Sequence, residues 1–147
     1  MSISEYVKRV RAAATKVRGI HVLAGAEVDI LADGSLYPPD AALQQLDWVI
    51  GSIHQNFKQS REAATKRLLK AMENPYLRCI GHPTTRLIGK RGGMEFDWDV
   101  LFRRAHELGI VFELNASWMR LDLDDVRCRT AKTAGVRICI NADQFNV

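Results

Sequence analysis

Residues 24–83 read AGAEVDILADGSLYPPDAALQQLDWVIGSIHQNFKQSREAATKRLLKAMENPYLRCIGHP, and this stretch decides the fold. It contains three apolar runs, AGAEVDI, WVIGSIH and YLRCIGH, which have the length of buried β-strands and are separated by segments of helical composition. Strands that alternate with helices pair in parallel through right-handed crossovers. The stretch therefore predicts an α/β fold made of parallel β/α units.

The same alternation extends to both sides of this stretch. The predicted strands span 21–30, 48–54, 76–82, 110–116 and 136–143. The predicted helices span 5–17, 41–46, 61–73, 98–109 and 122–135, with a Ser2–Glu5 capping box before the first and Asp40, Ser60 and Asp97 capping the next three. Because a closed barrel needs about eight strands, we expect either an open sheet or the later portion of a barrel.

Length and composition are those of one globular domain covering residues 1–147. The net charge of +4 comes from 21 basic and 17 acidic residues, which permits an anionic partner without requiring one. The basic group Lys66, Arg67 and Lys70 is expected to be a solvated helix face. No CxxC pair, leader or apolar run of about 20 residues is present, so we expect reduced thiols, a cytoplasmic location and no membrane partner.

One polar side chain lies at or near the end of each apolar run: Glu27, His54, His82, Asn115 and Asp143. Because parallel strands expose their carboxyl ends on a single rim, these side chains are expected to converge. Neutral imidazoles and a carboxylate suit Zn²⁺, Mn²⁺ or Fe²⁺. The sequence therefore predicts a divalent metal site formed by Glu27, His54 and His82, with Asp143 as a fourth ligand.

Each of these residues also has a structural interpretation. Glu27 could pair with an arginine, and a single histidine at a strand end is often structural. Asp29 points to the same face of the strand as Glu27. It could be a second metal ligand, a hydrogen-bond acceptor behind a ligand, or a solvated residue at the strand end. Asn115 suits either a hydrogen bond to a ligand or a cap of the following turn. His21 and His106 are expected to be structural.

The loop after His82 carries Arg86 and Lys90, which could hold a phosphate by charge-assisted hydrogen bonds or remain solvated. A metal beside cations is typical of phosphoester hydrolysis, in which the metal activates water and neutralises phosphoryl oxygens. The chain has no P-loop, GxSxG or GxGxxG motif, which gives nucleotide-cofactor and serine-hydrolase functions no support.

The stretch 24–89, together with VFELNASWMRLDL at 111–123 and ICINAD at 138–143, strongly resembles the PHP (polymerase and histidinol phosphatase) domain. The version it resembles forms the C-terminal part of bacterial family X DNA polymerases, and the resemblance covers nearly the whole chain. PHP domains are distorted, TIM-like β/α barrels that hydrolyse phosphoesters with a metal cluster, typically Mn²⁺ in the polymerases. There they supply 3′ exonuclease and end-processing phosphatase activities.

The resemblance assigns roles to individual residues. It implies that Glu27, in the family's GxE motif, bridges two metals, and that Glu27 and His82 are catalytic. It implies that His54 and His82, in the S-x-H and GHP motifs, complete one metal site and that Asp143 ligates the other. The phosphoester substrate, DNA ends included, is then placed by Arg86 and Lys90.

This chain departs from the family at both ends. The family's HxH motif on its first strand and a histidine on its second are absent, and the closing Asp-x-His motif reads Asp143, Gln144, Phe145. Missing first strands leave a sheet edge that we expect a second copy or another chain to cover. Two functions follow as hypotheses: a metal-dependent phosphoesterase, or a degenerate PHP fragment acting as a structural, interaction or DNA-binding module without turnover.

Overall fold

A single sheet of six strands organises the computed structural model, which describes residues 1–143. In chain order the strands are β1 (Gly25–Ile30), β2 (Leu36–Tyr37), β3 (Trp48–Ser52), β4 (Leu77–Ile80), β5 (Val111–Asn115) and β6 (Ile138–Asn141). The helices are α1 (Ile3–Ala14), α2 (Asp40–Leu43), α3 (Arg61–Met72), α4 (Trp98–Leu108) and α5 (Asp125–Thr133).

The sheet has the order β2-β1-β3-β4-β5-β6, and every neighbouring pair is parallel except β1 and β2. The predicted α/β fold of parallel units, a partial barrel that does not close, is thereby confirmed. The expectation of five strands is corrected to six, because residues 36–37 turn back and pair antiparallel with the end of β1. A pair of two residues is too short to produce a strand pattern in the sequence.

Local capping signals place most helix starts correctly. The Ser2–Glu5 capping box is present, and Ser60 and Asp97 accept hydrogen bonds from the first turns of α3 and α4. Three helix starts differ from the prediction: α1 begins at Ile3 rather than at residue 5, Asp40 lies inside α2, and α5 begins after Asp124 rather than at residue 122. Asp122 is instead fully buried beneath the rim, and the helix begins three residues later.

The core lies between the sheet and helices α3 and α4. Ile30 and Leu77 from the sheet and Leu68 from α3 are fully buried in one cluster. Phe102 of α4 meets Phe112 of β5 edge to face, with ring centroids 5.2 Å apart. Such pairs contribute about 0.5–1.5 kcal/mol beyond area burial, so this side of the sheet is held firmly against its helices.

Arg67 corrects the expectation of a solvated basic face on α3, because it is 2% exposed. Its guanidinium donates to the carbonyls of Gln55 and Asn56 at 3.2 and 3.4 Å and to the side chain of Gln59 at 3.1 Å. It also hydrogen-bonds the carbonyl of Ile30. One buried arginine thus ties the end of β1 to the loop after β3.

Among residues 1–143 the sheet has its two edges at β2 and β6. Ile140 of β6 is 72% exposed, so no part of residues 1–143 covers the face of this edge strand at that position. The prediction that a second copy or another chain covers an edge stays a prediction. In residues 1–143 no helix combines the length and the apolar character that crossing a membrane requires.

Replacing Arg67 with methionine is expected to lower the free energy of unfolding by on the order of 3 kcal/mol, because buried carbonyls lose their donor. Chemical denaturation followed by circular dichroism measures this change. Arg61→Met is the matched control, since Arg61 lies on the same helix with a side chain 64% exposed, and we expect it to stay within about 0.5 kcal/mol of the unmodified chain. Equal losses for the two variants would contradict a structural role for Arg67.

Candidate metal centre

Three predicted side chains meet at the carboxyl-end rim of the sheet. Glu27 Oε1 lies 3.1 Å from His54 Nε2 and 2.9 Å from His82 Nε2. One potential ligand atom from each residue lies within 4.8 Å of the other two. The rim therefore brings together Glu27, His54 and His82, as the sequence predicts.

Glu27 reaches this cluster from within β1 and not from its end. Val28 and Asp29 continue the parallel pairing, opposite Gly51 and Ser52. The end of β1 at Ile30 agrees with the predicted strand 21–30, and Glu27 lies three residues before that end. The two histidines do follow their strands, because β3 ends at residue 52 and β4 ends at residue 80.

Asp29 holds the His54 ring. Its Oδ1 lies 2.6 Å from His54 Nδ1, while the other ring nitrogen of His54 faces Glu27. A carboxylate on the far nitrogen of a metal-binding histidine fixes its orientation and tautomer. Of the three alternatives for Asp29, this contact favours the acceptor behind a ligand.

His82 is held through its backbone. It is 3% exposed, and its φ of +24° is one that non-glycine residues rarely adopt. The His82 N–H donates to Glu113 Oε2 at 2.5 Å. The preceding Gly81 has no room for a side chain, since a Cβ there would overlap Ser52 Oγ and lie 2.8 Å from Ile50 Cγ2.

Two buried carboxylates beneath the rim are absent from the sequence-based site. Glu113 is 5% exposed and also accepts from Asn141 Nδ2 at 2.8 Å. Asp122 is fully buried and accepts from Thr84 N at 2.9 Å, and its burial raises the pKa of its carboxyl. Glu113 lies inside an apolar run, so the argument used for Glu27 would have found it. Asp122 looked like a helix start.

The contacts within the cluster shift the pKa values of its ionisable groups. Hydrogen bonds from His54 and then His82 hold the pKa of Glu27 well below its ordinary value. The contact with Glu27, supported by Asp29, raises the pKa of His54 to about 9 against the effect of its partial burial. The pair of groups therefore favours an ionised Glu27 carboxylate beside a protonated His54 ring.

The donor set fits a divalent cation. Two imidazole nitrogens and a carboxylate oxygen are the ligands that Zn²⁺, Mn²⁺ and Fe²⁺ accept. His82 Nδ1 is buried without a hydrogen-bond partner among the described residues, so its Nε2, facing Glu27, is the ring nitrogen with a defined direction. Residues 1–143 contain one such group of ligand side chains.

Asp143 lies outside the three-residue group. Its Oδ2 accepts from Arg120 Nε at 3.2 Å, a contact that engages one carboxylate oxygen. Its assignment as a metal ligand stays a prediction. Phe145, in the position of the family's closing histidine, lies outside the described residues.

The predicted phosphate-binding residues are used differently from one another. Arg86 Nε donates to the Arg120 carbonyl at 2.6 Å, and its guanidinium also contacts Asp124 at 3.7 Å, so the loop after β5 occupies it. Asn115 is fully buried and accepts from Ser117 N at 3.1 Å. This contact favours the alternative of a turn cap over a ligand contact.

The remaining sequence-predicted side chains lie apart from the three clustered ligands. Lys90 is exposed on the long loop after β4, where a phosphate role stays a prediction. His106 Nδ1 contacts the carbonyl of Gly135 at 3.1 Å. His21 is exposed and precedes β1.

The open parallel sheet and its rim cluster define a PHP-like α/β protein. Over 145 residues the chain is 39% identical to the DNA polymerase/3'-5' exonuclease PolX of Bacillus subtilis (strain 168). The aligned part covers 99% of this chain and 25% of that protein. The resemblance to the PHP domain of family X DNA polymerases is thereby confirmed. No family model matches the chain.

Shorter relatives carry the name probable phosphatase. The one from Thermoanaerobacter sp. (strain X514) is 32% identical over 138 residues, 87% of this chain and 54% of the relative. The one from Caldicellulosiruptor bescii is 35% identical over 105 residues, 69% of this chain and 41% of the relative. The chain thus spans a quarter of PolX and about half of these phosphatases.

The raised pKa of His54 predicts how stability depends on pH when no metal is bound. The contribution of charged His54 is complete below its ordinary pKa of 6.5 and disappears as the pH rises through about 9. Unfolding free energies in EDTA, measured for the unmodified chain and for His54→Gln, should differ most below pH 6.5 and converge toward pH 10. A difference that stays constant over this range would contradict the pairing.

Proposed function

We propose that this chain is a metal-dependent phosphoesterase of the PHP type. The observation that carries the proposal is the convergence of Glu27, His54 and His82 on one point of the rim, with Glu27 Oε1 in contact with both rings. The names of the relatives, PolX and probable phosphatases, support the same reaction class. We propose Mn²⁺ or Zn²⁺ as the cofactor, with Fe²⁺ as a further candidate.

The proposed chemistry assigns a task to each residue. A divalent metal, when bound, supplies a water of lowered pKa and neutralises phosphoryl oxygen charge. Glu27 contributes its carboxylate between the two imidazoles, and Asp29 keeps His54 Nε2 directed toward it. Glu113 accepts the backbone N–H of His82 and thereby holds the main chain from which the buried ring extends. We propose Glu27 and His82 as the catalytic residues.

The substrate is proposed to be a phosphoester, with DNA ends as one class. The PolX relative is named as a DNA polymerase and 3'-5' exonuclease, whereas the shorter relatives are named only as phosphatases. Lys90 is proposed to attract the anionic substrate from its exposed loop. Asp143 and a second metal belong to the same proposal.

A second candidate function is that of a degenerate PHP fragment without turnover. It is favoured by the number of clustered metal-ligand side chains within residues 1–143, which is three. It is also favoured by the hydrogen bonds that Arg86 and Asn115 form with the protein backbone, because these groups are then engaged within the protein. As an interaction module, the chain would use the exposed β6 edge around Ile140 to bind a second copy or another chain. A DNA-binding module would show strongly salt-dependent affinity.

Hydrolysis with added Mn²⁺ decides between the two functions. We expect the chain to hydrolyse p-nitrophenyl phosphate or a 3′-recessed DNA, to lose this activity in EDTA, and to lose at least roughly 100-fold of kcat/KM in His82→Ala. His21→Ala is the matched control, because His21 is exposed and precedes β1. Circular dichroism establishes that both variants fold. No metal in the purified protein and no turnover would overturn the enzyme proposal.

The contact between Asp29 and His54 predicts a separate effect on metal binding. Asp29→Asn keeps the shape of the side chain but removes its charge, and we expect the Mn²⁺ dissociation constant to rise by about 10- to 100-fold. Isothermal titration calorimetry measures it. Asp125→Asn is the control, since the Asp125 side chain is 77% exposed on α5. Unchanged affinity in Asp29→Asn would remove Asp29 from the site.

A further inference from the structure

A cavity of about 620 Å³ opens on the same rim as the clustered ligands. Its walls come from segments that follow three neighbouring parallel strands: Ala32 after β1, residues 56–59 after β3, and residues 91–92 after β4. Asn56 follows His54 by only two residues. The volume falls in the range of roughly 300–1,000 Å³ that is typical of small-molecule sites.

The chemistry of the lining is cationic and aromatic. Lys58 and Arg91 line the cavity, and none of the lining residues in the described part of the chain carries a carboxylate. The Arg91 guanidinium lies over the Phe57 ring, 3.9 Å from its centroid. Arg91 also donates to the Thr85 carbonyl from Nε at 3.0 Å and from a terminal nitrogen at 2.7 Å. A guanidinium fixed on an aromatic ring is a flat, charged surface on which another planar group can stack.

The walls of this cavity are held in place from below. Buried Arg67 donates to the Asn56 carbonyl and to the Gln59 side chain. The Gln59 side chain in turn donates to the Ala32 carbonyl at 3.5 Å. Loops restrained in this way lose little conformational freedom on binding, which favours affinity.

We infer that this cavity binds one nucleotide unit of the substrate, with its base stacked on the Phe57–Arg91 pair and its phosphate near Lys58. The inference rests on the proposed function, because it makes the cavity the recognition site beside the reacting phosphoester. Two cations without a carboxylate select an anion, and the flat pair selects a planar group. A phosphoester that lacks a base would forgo the stacking contribution.

Direct binding to the metal-free protein tests this inference independently of hydrolysis. Thymidine 5′-monophosphate, thymidine and inorganic phosphate are titrated in EDTA and followed by NMR chemical shifts. We expect the nucleotide to bind at least about fivefold more tightly than either of the other two. We also expect Phe57→Leu to weaken nucleotide binding by at least about fivefold while the protein stays folded.

Matched controls locate the site. Tyr37→Leu is the control for Phe57→Leu, because it replaces an exposed aromatic residue outside the cavity. Lys16→Ala is the control for Lys58→Ala, because Lys16 is an exposed lysine outside the cavity. Nucleotide binding should weaken in Phe57→Leu and Lys58→Ala but not in the two controls. Equal affinity for nucleotide and inorganic phosphate, or equal loss in Phe57→Leu and Tyr37→Leu, would overturn the inference. Failure of the hydrolysis assay alone would count only against the proposed function.

Discussion

The site depends on parallel hydrogen bonding between β1, β3 and β4. In that register Glu27 lies opposite Ile50, and the chain leaves β3 and β4 just before the two histidines. The two histidines, which follow Glu27 in the chain by 27 and 55 positions, therefore both contact its Oε1. A slip of one residue in β1 would turn Glu27 and Asp29 to the opposite face together, so the two carboxylates of the site share one constraint.

Buried polar groups beneath the rim maintain this arrangement. Arg67 satisfies carbonyls at the end of β1 and in the loop after β3, and Glu113 satisfies the backbone of His82. Asp122 does the same for Thr84. A buried polar group without partners is costly, so these contacts hold irregular loops in single conformations. The two histidines of the site thereby lie on loops and its carboxylates lie on β1, while the supporting groups lie on β5, on α3 and beside β5.

Much of the fold could be predicted from local patterns. Apolar runs and capping residues identified five of the six strands, the parallel α/β class and three of the helix caps, because these features depend on near neighbours. The errors occurred where local signals were ambiguous. Asp122 resembled a helix start, and a two-residue strand has no periodicity.

The sequence by itself determined which residue types could form a metal site and that the ends of parallel strands would bring them to one rim. Only the tertiary structure decided that Asp29 supports His54, that Asn115 caps a turn and that the loop after β5 occupies Arg86. It also decided that Phe57 and Arg91 meet across two loops. The physical reason is that such contacts join residues distant in the chain, so they depend on strand register, loop path and burial, which no local pattern encodes.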